Sequence, residues 1–149
     1  MRLLILANET CASTAVLAEV RRRVNAVDAP TEVLVIAPAL SGSRLKHWLG
    51  ADLAAARLAA DERLMRSVAA LRENGIPALG ELGDSNPLQA LDDAIRVFRP
   101  DQIIIATHPP ARSHWLEEGI VDAAQKRFTV PIFHVIADLE AEVTPLAQS

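Results

Sequence analysis

Ile103-Ile104-Ile105-Ala106-Thr107-His108-Pro109-Pro110-Ala111-Arg112-Ser113-His114-Trp115 decides how this chain folds. Residues 103–106 are apolar without interruption, which predicts a strand covered on both faces, as in parallel sheets. A polar loop stiffened by Pro109 and Pro110 follows, and then a helical pattern begins. In an open α/β sheet, ligands sit beyond the carboxyl ends of the strands, so this loop is the expected working edge. It lacks the glycines that would make a phosphate cradle.

The same signature recurs outward from that stretch. Residues 3–7 and 33–37 are unbroken apolar runs. Residues 76–82 carry Pro77 and Gly80, which suits an edge strand, and residues 130–137, with Pro131 near their start, suit the other edge. Between the strands lie four helical patterns. Residues 13–27 repeat Val16, Val20, Val24 and Val27 on one face, with Thr10 or Ser13 as the cap. Residues 52–74 place Leu53, Ala60, Leu64, Val68 and Leu71 inward and stop at Asn74-Gly75. A third helix opens with Asn86 as N-cap, Pro87 in the first turn and Gln89 in the reciprocal capping position. The fourth pattern runs from Ser113 to Arg127, with Ile120, Ala123 and Ala124 inward. The order βαβαβαβαβ argues for a doubly wound parallel sheet. One domain over residues 1–138 is expected, with residues 139–149 as a loose tail.

Composition narrows the function. The chain has 149 residues, half of them hydrophobic, and a formal net charge of −4. An acidic balance gives no electrostatic reason to invoke nucleic acid, and the Arg21-Arg22-Arg23 run reads as a solvated helix face. Cys11 is the single cysteine, which excludes an internal disulfide and a cysteine-based zinc site. The opening Met1-Arg2-Leu3-Leu4-Ile5-Leu6-Ala7 resembles a signal peptide but meets Asn8-Glu9 too early, and no stretch has the roughly 18 apolar residues of a membrane span. A cytoplasmic protein without a membrane role is the expectation.

Familiar catalytic motifs are missing. There is neither a P-loop nor a Gly-x-Gly-x-x-Gly after the first strand. Asn8 and Glu9 supply one carboxylate where a receiver domain needs an acidic pair. His47, His108, His114 and His134 have no metal-ligand spacing, and no Gly-x-Ser-x-Gly elbow accompanies Asp84, Asp101 or Asp138. Two loops keep some chemistry: residues 41–48 gather Arg44, Lys46, His47 and Trp48, and Gly83-Asp84-Ser85-Asn86 turns into the third helix.

Taken with its loops, the chain resembles the universal stress protein family over nearly its full length. The resemblance rests on the first strand and its polar end, the long loop after the second strand and the Gly83-Asp84 turn with Asn86-Pro87. It rests also on the fourth strand-loop-helix and the closing Val130-Pro131-Ile132-Phe133-His134-Val135. It implies a Rossmann-like five-stranded parallel sheet of order 3-2-1-4-5 with helices on both faces. ATP-binding members of that family carry Gly-x-x-Gly, nine residues, then Gly-Ser/Thr. Those positions fall here on Ala106, Pro109, Gly119 and Ile120, so only the third glycine is kept. Pro109 lacks an N–H and fixes φ, and Ile120 lacks a hydroxyl, so a triphosphate cradle is weakened. Asn8 stands where the family usually has an aspartate beside adenine, and the backbone at Ile36 and Ala37 is the other adenine neighbour. Thr10, Thr107 and His108 add donors, and Arg112-Ser113 at the expected start of the fourth helix favour an anion.

The resemblance implies a non-catalytic ligand-binding or regulatory module that holds an adenine nucleotide (AMP or ATP) or another small anion. The candidate binding residues are Asn8, Thr10, Ile36, Ala37, Ala106, Thr107, His108, Arg112, Ser113 and Gly119. A homodimer through residues 130–137 is expected, because an apolar sheet edge invites pairing. Two alternatives remain: a protein-interaction domain without ligand, and a weak nucleotide hydrolase using His108 as proton shuttle and Arg112 against developing charge.

Overall fold

The computed structural model describes residues 1–7, 13–38, 50–84, 86–107 and 119–137. Among the described residues, five strands alternate with four helices. They are β1 (Arg2–Ala7), α1 (Thr14–Asn25), β2 (Glu32–Pro38), α2 (Gly50–Glu73), β3 (Ala78–Gly83), α3 (Pro87–Phe98), β4 (Gln102–Thr107), α4 (Ile120–Arg127) and β5 (Ile132–Ile136). The strands form one all-parallel sheet of order β3-β2-β1-β4-β5, as expected from the apolar runs and the resemblance. Residues 3–7, the apolar run that resembles the start of a leader segment, are buried in the central strand. The tail 139–149 lies outside the described residues.

Alternation along the strands divides the core in two. On one face Leu3, Ile5, Val33, Val35 and Ile104 meet Val16 and Val20 of α1 and Leu64, Val68 and Leu71 of α2. On the other, Leu4, Leu6, Ile36, Ile103 and Ile105 meet Leu91 and Ala94 of α3 and Val121 and Ala124 of α4. Each fully buried Leu, Ile or Val stabilises by about 1.5–3 kcal/mol relative to exposure. The double covering explains why β1, β2 and β4 read as continuous apolar runs.

Helix ends follow their local chemistry, with two departures. Ser13 caps α1, its hydroxyl accepting the Val16 N–H at 3.2 Å. At the end of α2, Ile76 N–H donates to Leu71 O and Gly75 N–H to Arg72 O, with Gly75 at φ 78°. This paired C-terminal motif needs the left-handed conformation that glycine adopts without strain. Asn86 caps α3, accepting from Leu88 N at 2.9 Å, but Gln89 does not reach back. The Asn86 N–H is already held by Asp84 Oδ1 at 2.8 Å, and Gln89 Nε2 donates forward to Asp93. The second departure is larger. A helix continuous from Ser113 to Arg127 is not formed: Gly119 sits at φ 67°, ψ 31° and α4 begins at Ile120, while Ser113 itself lies outside the described residues. A right-handed helix cannot run through a residue in that conformation.

The two edges of the sheet are built differently. On β3, Ala78, Gly80 and Leu82 face α2, and a Cβ on Gly80 would stand 2.6 Å from Val68 Cγ2. Leu79 and Glu81 point to the opposite face, where Leu79 is 66% exposed. On β5, the Arg23 guanidinium lies 3.5 Å from the centroid of the Phe133 ring. Arg23 is itself held by Glu19 at 2.7 Å and by Gln102 at 3.1 Å.

Candidate functional site

All five strands point the same way, so their carboxyl ends share one edge. At the centre of that edge Ala7 of β1 pairs with Ala106 of β4. From these neighbours the chain proceeds to opposite faces, since α1 packs on one side of the sheet and α4 on the other. Divergence of adjacent connections is what opens a crevice at a topological switch point.

The floor of the edge is made of small side chains. Ala7, Ala37, Ala106 and Ala137 are all buried and belong to the core on the α1 side. Ala7 and Ala106 are register partners, and Ala37 follows Ile36, the partner of Leu6. Leu6-Ala7, Ile36-Ala37 and Ile105-Ala106 thus repeat across the three central strands, with Leu82 beside Ala37 and Val135 beside Ala106; Ala137 lies just past the end of β5. Hydropathy alone passes over this repeat, because an alanine at the end of an apolar run looks like more of the run. These methyl groups form a buried floor at the carboxyl edge of the three central strands.

The candidate residues divide accordingly. Ile36, Ala37, Ala106, Thr107 and Gly119 are described; Asn8, Thr10, His108, Arg112 and Ser113 lie outside the described residues. Ile36 and Ala106 point to different faces, Ile36 into the α3 side and Ala106 into the α1 side, so neither side chain offers a polar contact. A methyl group placed on Gly119 would meet nothing within 4 Å; what this glycine supplies is its positive φ, not space for a close neighbour. Ile120, which replaces the family's hydroxyl residue, is buried.

Thr107 is already engaged. Its side chain is buried, and its hydroxyl lies 2.8 Å from Nε2 of His134 on β5. The Thr107 carbonyl accepts the Ala137 N–H at 2.7 Å. Burial pushes the His134 pKa below its usual value, and Asp122 of α4 offsets part of that shift. A neutral imidazole can accept from the hydroxyl when its own proton is on Nδ1. This hydroxyl–imidazole pair clasps β4 to β5, and its burial makes Thr107 a positioning residue for the edge. Sequence spacing does not reveal it, because the partners stand 27 positions apart.

No group of three or more His, Cys, Asp or Glu capable of holding a metal occurs among the described residues. Nor is any described helix long and apolar enough to cross a membrane.

Comparison with solved structures follows the same outline. The chain superposes on the universal stress protein of Archaeoglobus fulgidus in complex with dAMP, with a TM-score of 0.62. The match has 15% identity and covers 91% of this chain and 97% of that one. The fold is that of the universal stress proteins. The same holds for the universal stress protein family protein of Arabidopsis thaliana with AMP bound, at TM-score 0.62 and 13% identity over 95% of this chain and 94% of that one. It holds also for a universal stress protein family member from Burkholderia pseudomallei, at TM-score 0.61 and 12% identity over 91% and 96%. No family model and no curated protein matches the sequence. The likeness is thus one of fold, at 12–15% identity in these matches.

Proposed function

We propose that this chain is a non-catalytic regulatory module that binds an adenine nucleotide at the β1/β4 crevice and works as a cytoplasmic homodimer. The observation that carries the reading is the β1/β4 seam, where Ala7 pairs with Ala106 at the carboxyl edge and α1 and α4 pack on opposite faces of the sheet. Proteins of this fold have been crystallised with dAMP and AMP. In this reading the backbone at Ile36 and Ala37 borders the base, together with Asn8 and Thr10. Ala106, Thr107 and Gly119 shape the rim, while His108, Arg112 and Ser113 receive the phosphate. A monophosphate fits better than ATP, because Pro109 removes an amide donor and Ile120 buries an apolar side chain at the hydroxyl position. Dimerisation uses β5, an edge strand whose Ile136 is 45% exposed.

Thermal melting with AMP, cyclic AMP and ATP tests the ligand. At about 100 times Kd, AMP should stabilise the protein by roughly 2.7 kcal/mol, with ATP no better and Arg112→Ala abolishing the shift. No shift with any nucleotide would instead favour a protein-interaction domain without ligand. The solution mass should be near twice 16.1 kDa; a monomer at high concentration removes the β5 interface.

A further inference from the structure

A second concavity lies on the α3 side of β3 and reaches Ile36 at its carboxyl end. A groove of about 1030 Å³ runs along the outer side of β3, from Thr31 at one end to Asp84 at the other. Its floor is Leu34 of β2 and Leu79 of β3, which are register partners on the same face. Its wall is α3, which presents Ala90, Ala94 and Val97 along one side. Val97 is 86% exposed and Leu79 66%, so two large apolar side chains face solvent across a trough.

Among the described residues the charges around this trough are mostly acidic. Glu32, Glu81, Asp84 and Asp93 line it, against Arg72 alone among the described cations. Arg72 is committed to the fold, its Nε donating to Ala78 O at 2.9 Å. Glu32 has Arg2 nearby at 3.6 Å, but no ion pair joins Glu81, Asp84 or Asp93 to a described cation. Asp93 only accepts from Gln89, and Asp84 from a backbone N–H. The groove is thus an apolar strip under an acidic rim.

We propose that this groove is a docking site for a cationic amphipathic helix from another protein. Dimensions favour a helix. Six strand residues at about 3.3 Å each give a trough about 20 Å long, which about 13 helical residues at 1.5 Å rise would span. The helix would set its apolar stripe at i, i+3, i+4 and i+7 on Leu34, Leu79 and Val97, with Ala90 and Ala94 allowing close approach. Its Lys and Arg residues would meet Glu81, Asp84 and Asp93. Charge disfavours a second copy of this chain in a two-fold pairing, since each partner would bring the same acids to the same place. The residues that would hold the helix, Leu79, Glu81, Asp93 and Val97, are not among those of the nucleotide reading.

The probe is a synthetic 14-residue peptide with leucine on one helical face and lysine flanking it, titrated into the full chain and followed by methyl NMR. Shifts are expected at Leu34, Leu79 and Val97, with affinity falling at least about tenfold from low to high salt. The double variant Glu81→Lys/Asp93→Lys should lose the peptide and gain its glutamate counterpart. Val97→Asp should bind neither peptide while melting as the parent does, and AMP titration should be unchanged in every variant. Peptide shifts scattered over the surface, or equal binding by parent and charge-reversed variant, would overturn the proposal. Shifts at these methyls on raising protein concentration without peptide would also overturn it, in favour of a second copy.

Discussion

Strands β3 and β5 border the same sheet and are finished in opposite ways. Strand β5 is tied on both faces, by Arg23 stacked on Phe133 and by Thr107 bonded to His134. Gln125 of α4 adds a donor to Ile132 O at 3.3 Å. Strand β3 is packed tightly on one face, against α2, and stands open on the other. The difference is partly arithmetic. A helix about 10 Å across covers two strands spaced about 4.8 Å apart, so two helices per face leave a fifth strand short of cover. On the face of α3 and α4 the shortfall lands on β3. One edge therefore has its polar groups spent internally, and the other keeps apolar and acidic groups for something else.

Four substitutions test this contrast. The largest effect should come from filling the packed face of β3. Gly80→Val drives carbon atoms into Val68 and Leu64, and because a buried valine is stiff about χ1, the cost should be about 1–3 kcal/mol. Chemical denaturation would read it; an unchanged midpoint would mean that α2 yields easily. A smaller effect belongs to the clasp on β5. Thr107→Val removes the hydroxyl and should cost about 1 kcal/mol. The pH dependence there has a definite sign. Burial holds the His134 pKa below its unfolded value, so the unfolded chain binds more protons in between. Stability from this site is complete above about pH 6.5 and declines as pH falls below it; in His134→Gln that part of the decline should vanish from melting curves taken at pH 7.5 and 5.5. The smallest effect is expected in the open groove, where Val97→Ser should change stability by no more than about 0.5 kcal/mol. A larger loss would show that the exposed wall of α3 supports the fold itself.

How much of this is legible in the sequence depends on whether a feature is made by neighbours in the chain. Residues 3–7, 33–37 and 103–106 announce buried parallel strands because both faces of each are covered. Pro77 and Gly80 mark β3 as an edge, and Gly80 proves to be required for contact with Val68. Ser13 and Asn86 are readable as caps because a cap satisfies donors two or three residues away. Ser113 reads as a helix start by the same rule but lies outside the described residues, and the left-handed Gly119 starts α4 at Ile120. The Thr107–His134 clasp joins different strands and leaves no local trace. The groove is least legible, since it forms where no described element covers Leu79 and Glu81.

The strand order also sets a schedule for assembly. On one side Leu3 of β1 meets Val33, and on the other it meets Gln102. As the chain emerges from the ribosome, β1, β2, α2 and β3 can close together while the remaining strands are still unmade. The β1/β4 seam must wait for the second half, so until then one flank of β1 carries unpaired amides and buries nothing. The place where a nucleotide is proposed to bind is thus the last part of the sheet centre to exist, and a ligand there would find only a finished molecule.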